Sequence, residues 1–326
     1  MKRPIAALPI RPTPGGISIG LCLFLLILLP AALISPAVAQ EKEYYGIALI
    51  GDPHLPGREL MAKTSALRTI DGWTDIDRVV VLGDICKETG TAAEYAVAKE
   101  FFGRLRKPIR FIAGNHDYIY TDERDLMGRR NKGLPDIRRM KLKRFAETFG
   151  LSSLYGSERL GGYLMIYLST DDLDSAHLAQ ISDGQFTWLQ KQLAENRKFP
   201  TAIFFHAPLV GTLLQYNEQA NTPNFVAQPA GRLHNVMLEN PQIFLWVSGH
   251  LHVPATSDSF SAPVNLYAGR VTNIHNPDWE RRRIWTTVLR LHSDRVVIRT
   301  WDHAMGGWLD GLERTIHPPQ FDRTSR

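Results

Sequence analysis

An α/β fold is predicted by three features of the sequence. Short aliphatic runs alternate with stretches of helical periodicity from Tyr45 onward. Nearly every aliphatic run ends in a block rich in Asp, Asn or His, most of these blocks carrying a glycine. The 326 residues, 44% hydrophobic and 22% charged, suffice for a large packed core.

Residues 1–39 are set apart from that fold. Lys2, Arg3 and Arg11 precede an apolar stretch from Ile17 to Ile34, and Ala37-Val38-Ala39 offers a small-x-small cleavage site before Gln40. This is the layout of a secretory signal peptide, which predicts an exported protein, periplasmic or secreted. The apolar stretch nears the ~18 residues of a membrane span, so an uncleaved anchor is the alternative. Pro30 and the Ala-Val-Ala site favour cleavage, after which no stable span is expected. Paired arginines of the twin-arginine type are absent, and Cys22 follows Leu21 rather than the small residue that precedes a lipidated cysteine.

Residues 40–326 are expected to form one domain, with no internal repeat or low-complexity linker. Tyr45–Ile50, Arg78–Leu82 and Ile109–Ala113 read as buried strands, as do Tyr163–Ser169, Thr201–Phe205 and Ile243–Val247. Ala92–Leu105 carries apolar residues at helical spacing, and Lys141–Phe149 and Gly231–Leu238 are further helix candidates. Ser182-Asp183-Gly184-Gln185 has a capping-box signature before Phe186-Thr187-Trp188-Leu189. Ile284–Leu291 and Arg295–Trp301 alternate about Ser293-Asp294, which predicts a hairpin. The tail from Pro318 is expected to lack regular structure. Tyr118–Arg138 and Leu209–Ala230 are polar, directly follow the polar blocks, and are expected to be insertions at the mouth of a site, where they would select substrate.

Charge and cysteine content exclude some classes. Lys2, Arg3 and Arg11 lie in the leader, so the remainder holds 35 basic against 33 acidic residues, a net charge of +2. So small a balance gives no support to a nucleic-acid partner or a nuclease groove. Arg281-Arg282-Arg283 reads as a solvated turn before a strand, with a phosphate-binding role as the less favoured alternative. Cys86 is the one cysteine past the leader, so no intrachain disulfide is available there. It reads as a small buried or loop residue.

The polar blocks carry the chemistry. Asp52 and His54 stand two apart after a strand; if the chain stays extended, both side chains reach one side and can grip one cation. Asp84 ends the next strand, and its two oxygens can bridge two cations. Asn115 adds a neutral amide oxygen. His206 ends a Phe-rich strand, where a lone histidine is ordinarily a core residue. Gly249-His250-Leu251-His252 brackets one apolar residue with two imidazoles. Mixed oxygen and imidazole donors suit two borderline divalent cations, Mn²⁺, Fe or Zn²⁺. Such a pair clamps phosphoryl oxygens and activates a bridging hydroxide for attack on a phosphate ester.

In this order, Asp52-Pro53-His54, Gly83-Asp84, Gly114-Asn115-His116-Asp117, His206 and Gly249-His250-Leu251-His252 resemble the calcineurin-like metallophosphoesterase superfamily, whose blocks are all present without substitution. The likeness runs from about Ile47 to His252, and the Gln185-x-x-Trp188-Leu189 helix is similar too. It implies a two-sheet β-sandwich flanked by helices, with the metals at one edge. It implies one metal on Asp52, His54 and His252, another on Asn115, His206 and His250, and Asp84 between them. His116 would serve the leaving group without binding metal, oriented by Asp117. The spacing looks most like the cyclic-nucleotide and glycerophosphodiester branch, which implies a phosphodiesterase acting on a small nucleotide or glycerophosphodiester. A phosphomonoesterase or nucleotidase is the alternative, and a non-catalytic metal-binding scaffold a more distant one. His177, His234, His275, His292, His303 and His317 lie outside the blocks; His234 and His275 are the two placed to touch substrate.

Overall fold

The computed structural model describes residues 42–215 and 217–321. The leader expected over residues 1–39 lies outside the described residues. In chain order the regular elements begin with β1 (Tyr45–Ile50), α1 (Leu60–Gly72), β2 (Ile76–Val81), α2 (Ala92–Phe102), β3 (Ile109–Phe111) and α3 (Asn115–Tyr118). There follow β4 (Tyr120–Arg124), β5 (Arg130–Lys132), α4 (Pro135–Phe149), β6 (Gly156–Leu160), β7 (Tyr163–Tyr167) and α5 (Asp183–Glu195). The second half holds β8 (Thr201–Phe204), α6 (Ala230–Glu239), β9 (Ile243–Ser248), β10 (Leu266–Tyr267) and β11 (Val271–His275). The last strands are β12 (Trp285–Leu291), β13 (Val296–Asp302), β14 (Gly307–Trp308) and β15 (Arg314–Ile316).

Two sheets carry the fold. One runs β14-β13-β12-β1-β2-β3, with β15 paired to β13; the other runs β10-β11-β9-β8-β7-β6. Within the first, β1, β2 and β3 are parallel, and Leu49 pairs with Val80. Within the second, β7, β8, β9 and β11 are parallel. Parallel neighbours bring their carboxyl ends to one edge, so the polar blocks that follow them are gathered without further instruction.

Strand alternation makes three cores. Ile47, Leu49 and Val80 face Met165, Phe204 and Val247 across the gap between the sheets. Ala48, Ile50, Val79 and Val81 point the other way, into α1, α2 and α4. Ile166, Ile203 and Trp246 pack likewise on α5 and α6. The result is the expected sandwich with helices outside both sheets. Strands buried on both faces read as continuous apolar runs, which explains their legibility in the sequence.

The elements depart from expectation in instructive places. Helix α1 has no counterpart in the sequence reading. Its buried stripe is Lys63, Ala66, Leu67 and Ile70, so a charged residue interrupts the apolar period, and its N-cap Glu59 makes no capping bond. Thr91 and Glu94 form a full capping box on α2. On α5 the box is half made. Ser182 accepts from the Gln185 amide (3.2 Å), but the Gln185 side chain bonds Ser169 N and O (2.9 and 2.8 Å). The hairpin about Ser293-Asp294 forms, with Leu289 opposite Ile298. Residues 118–138 become the β4–β5 hairpin and the first turn of α4, while 209–215 and 217–229 stay irregular apart from a 3₁₀ turn at Pro223–Phe225. No helix among the described residues is long and apolar enough to cross a membrane.

Candidate metal centre

Seven predicted metal-site residues meet at the sheet edge. Asp52 and His54 follow β1, Asp84 follows β2, and Asn115 opens α3 after β3. His206 follows β8, and His250 and His252 follow β9. Donor atoms of Asp52, His54 and His252 lie within 4.8 Å of one another, as do those of Asp84, His206 and His250. Within the first group His54 Nε2 is 3.1 Å from His252 Nε2, and Asp52 Oδ2 is 3.3 Å from the latter. Within the second, His206 Nε2 is 3.3 Å from Asp84 Oδ1 and 3.1 Å from Asn115 Oδ1. Metal bonds of ~2.0–2.2 Å at a tetrahedral or octahedral ion separate donors by about 3 Å, so both groups fit a divalent cation.

The local backbone differs from the extended chain expected at Asp52-x-His54. Asp52 (φ 38°), His54 (φ 44°), Asp84 (φ 47°), His250 (φ 67°) and His252 (φ 51°) all adopt left-handed conformations. Two strands ending side by side must curl out to aim their side chains at a common point, and a straight chain would carry them past it. Each such residue costs about 1–3 kcal/mol and persists only where its surroundings hold it. Glycines supply the room. A Cβ on Gly249 would lie 2.1 Å from Asp52 Oδ1, and one on Gly114 would lie 2.4 Å from Asp84 Oδ1.

A second layer of hydrogen bonds sets which ring nitrogen is offered. His206 Nδ1 donates to Leu82 O (2.7 Å) and His54 Nδ1 to Cys86 O (3.4 Å), leaving Nε2 turned to the site in both. His250 turns Nε2 to Asn224 O (3.3 Å), which leaves Nδ1. Asn115 Nδ2 donates to the Tyr120 hydroxyl (3.4 Å), which leaves Oδ1 for the site. The Asp52 carboxylate accepts the His250 amide (3.0 Å to each oxygen), tying the two sheets together.

Protonation follows from burial and partner. Burial lowers His250 to about 3 and holds His54 well below its ordinary value, so both rings are neutral and could serve as metal donors. Burial opposes charge on His206 too, but the ionised Asp84 beside it pushes it up to about 9. For His252, burial is likewise overcome, by the Asp52 hydrogen bond and charge, and the value is about 9. Without a cation, these two rings hold protons that a cation must displace.

His116 stands at the rim of the second group, its Nε2 3.9 Å from Asp84 Oδ2. Its orientation corrects the sequence reading. Nδ1 donates to the Lys87 carbonyl (2.7 Å), not to Asp117. The Asp117 carboxylate is buried and occupied by main-chain amides, accepting from Cys86 N (2.9 Å) and Gly114 N (2.8 Å). Three residues along a helical turn place Asp117 under the loop, where it braces the blocks on either side of it. Cys86 is buried and free, with its thiol pKa raised well above normal by burial, and takes no part.

A cavity of about 520 Å³ opens over the donors. Both insertions reach it: Tyr120 and Arg130 from the β4–β5 hairpin, Asn217, Gln219 and Phe225 from the irregular segment. Phe225 stacks on the His250 ring (centroids 5.2 Å apart). Arg281 also lines the cavity, a correction to its reading as a solvated turn. Nothing in the spacing of three arginines separates the one turned inward from its neighbours. His234 instead bonds Tyr267 on the outer face of α6, and His275 is buried against Thr212 O (3.1 Å), so neither reaches the cavity.

Residues 45–254 match the family described as calcineurin-like phosphoesterase. A glycerophosphodiester phosphodiesterase, GpdQ, of Enterobacter lignolyticus is 29% identical over 172 residues. That alignment covers 52% of each protein, so the chain spans about half the length of the curated relative it matches. Among solved structures, a dimetal phosphatase from Danio rerio superposes with a TM-score of 0.59 at 12% identity, over 85% of this chain and all of that one. The purple acid phosphatase PPD1 from yellow lupin superposes with a TM-score of 0.56 at 13% identity, over 85% of this chain and 54% of that one.

Proposed function

This chain belongs to the calcineurin-like phosphoesterase family, and from that premise we propose that it is a phosphodiesterase cleaving small phosphodiesters by in-line attack of water. Two divalent cations bound at the paired donor groups would clamp the phosphoryl oxygens and lower the pKa of the attacking water. Asp52, His54 and His252 would hold one, Asn115, His206 and His250 the other, with Asp84 between them. His116 would carry a proton on Nε2 to the departing ester oxygen. Lys87 O fixes its ring for that task.

The observation that carries this reading is the pair of complete donor groups converging beneath one open cavity. The diester preference is supported by the relative named as a glycerophosphodiester phosphodiesterase. The leader-like pattern of residues 1–39 supports export, and phosphate scavenging from nucleotides or lipid head groups would suit that location. The test is hydrolysis of bis-p-nitrophenyl phosphate against p-nitrophenyl phosphate by the purified Mn²⁺-loaded protein. A higher kcat/KM on the diester is expected; preference for the monoester would move the protein to the phosphomonoesterase alternative.

A further inference from the structure

We propose that Arg281 binds the phosphoryl oxygens of the substrate beside His252, as a third positive charge in the site. The inference rests on the reading above in taking the ligand to be a phosphoryl anion. Arg281 comes from a segment beyond residues 45–254, the part that matches the family.

The segment is pinned against the strand ends that bear the donors. Asn276 N donates to Ser248 O (2.7 Å), and Trp279 N donates to Gly51 O (3.0 Å). Its buried Asp278 lies 4.0 Å from His252 Nδ1. Arg281 Nε donates to Asp278, and Nη2 donates to the carbonyl of His252 itself. The third nitrogen, Nη1, has no partner among the described residues. The side chain is 30% exposed and lines the cavity. Its two neighbours go elsewhere: Arg282 is exposed, and Arg283 pairs with Asp302.

Physical chemistry gives this arrangement a use. A guanidinium locked through two of its three nitrogens has already lost its side-chain freedom, so an anion meets a preorganised donor. The planar fork matches phosphate oxygens, whose negative charge grows as the attacking water adds. The same side chain that holds the His252 loop lines the cavity over the donors.

Inorganic phosphate is the probe, titrated calorimetrically into the Mn²⁺-loaded full-length protein, with metal content measured by elemental analysis. Arg281→Ala is expected to keep both metals, with a melting temperature lowered by the loss of the buried Asp278's partner. It should bind phosphate roughly 10- to 100-fold more weakly and show a raised KM for bis-p-nitrophenyl phosphate. Arg281→Gln, whose amide nitrogen ends where Nε stands and can still donate to Asp278, is expected to weaken phosphate similarly, so the result does not hang on the alanine variant folding. Phosphate affinity equal to wild type in either folded variant, or loss of metal in parallel with loss of activity, would overturn the proposal and leave Arg281 a clip. A wild-type protein that cleaves neither ester yet binds phosphate through Arg281 would sink the phosphodiesterase reading and leave this inference standing.

Discussion

His116 is held by a main-chain carbonyl, at the edge of the donor groups and not within them. In the proposed role, His116→Ala should retain metal while kcat falls ~10²–10⁴-fold; elemental analysis beside steady-state kinetics checks this, and metal loss would make His116 a ligand. Left-handed backbone at His250 permits a sharper test (φ 67°). In the metal-free protein His250→Gly should be more stable than His250→Ala by about 1 kcal/mol, because glycine alone escapes the Cβ clash there; urea unfolding reads the difference. Proton linkage belongs at this scale too. His206 and His252, raised to about 9, bind protons that favour the metal-free fold. That stabilisation is full below about 6.5, the ordinary imidazole value, and is lost as pH rises through about 9. Metal affinity should run the other way, strengthening from pH 6 to 9 as the competing protons leave. Calorimetry in buffers of different ionisation enthalpy should register proton release at pH 7.

At the scale of elements, α5 reaches the site without touching it. Gln185 satisfies both main-chain groups of Ser169, whose hydroxyl in turn accepts Ala113 N (3.0 Å) just before the Gly114-Asn115 block. Gln185→Ala would leave buried polar groups of Ser169 unpaired, at about 1–3 kcal/mol. Urea denaturation should show that loss; unchanged stability would mean water replaces the amide freely. The capping-box signature led correctly to the helix and its Ser182 cap, but not to this second use of the glutamine. The strands were legible because each is an apolar run bounded by a glycine block. Helix α1 was not, because its buried Lys63 finds its partner Glu280 217 residues away.

Across the whole molecule, each donor group spans both sheets. Asp52 and His54 come from the first sheet and His252 from the second; Asp84 comes from the first, and His206 and His250 from the second. A bound cation is therefore a cross-link between the two halves of the sandwich. At a cation concentration of 100 Kd one site adds ~2.7 kcal/mol, which for a domain of this size is roughly 4–5 °C. Chelation should lower Tm by at least that much in a calorimetric scan, and an unchanged Tm would mean that the sandwich does not depend on the ions.

Residue type and order alone determined the family likeness, the alternation of strands and helices, and which seven side chains converge, because ligand chemistry and strand burial are local demands written at each strand end. Only the tertiary structure decided that the ligand loops curl through left-handed backbone, that Lys87 rather than Asp117 orients His116, and that one arginine of three turns into the cavity. Those outcomes depend on contacts between segments 29 to more than 200 residues apart, and no local pattern encodes such a distance.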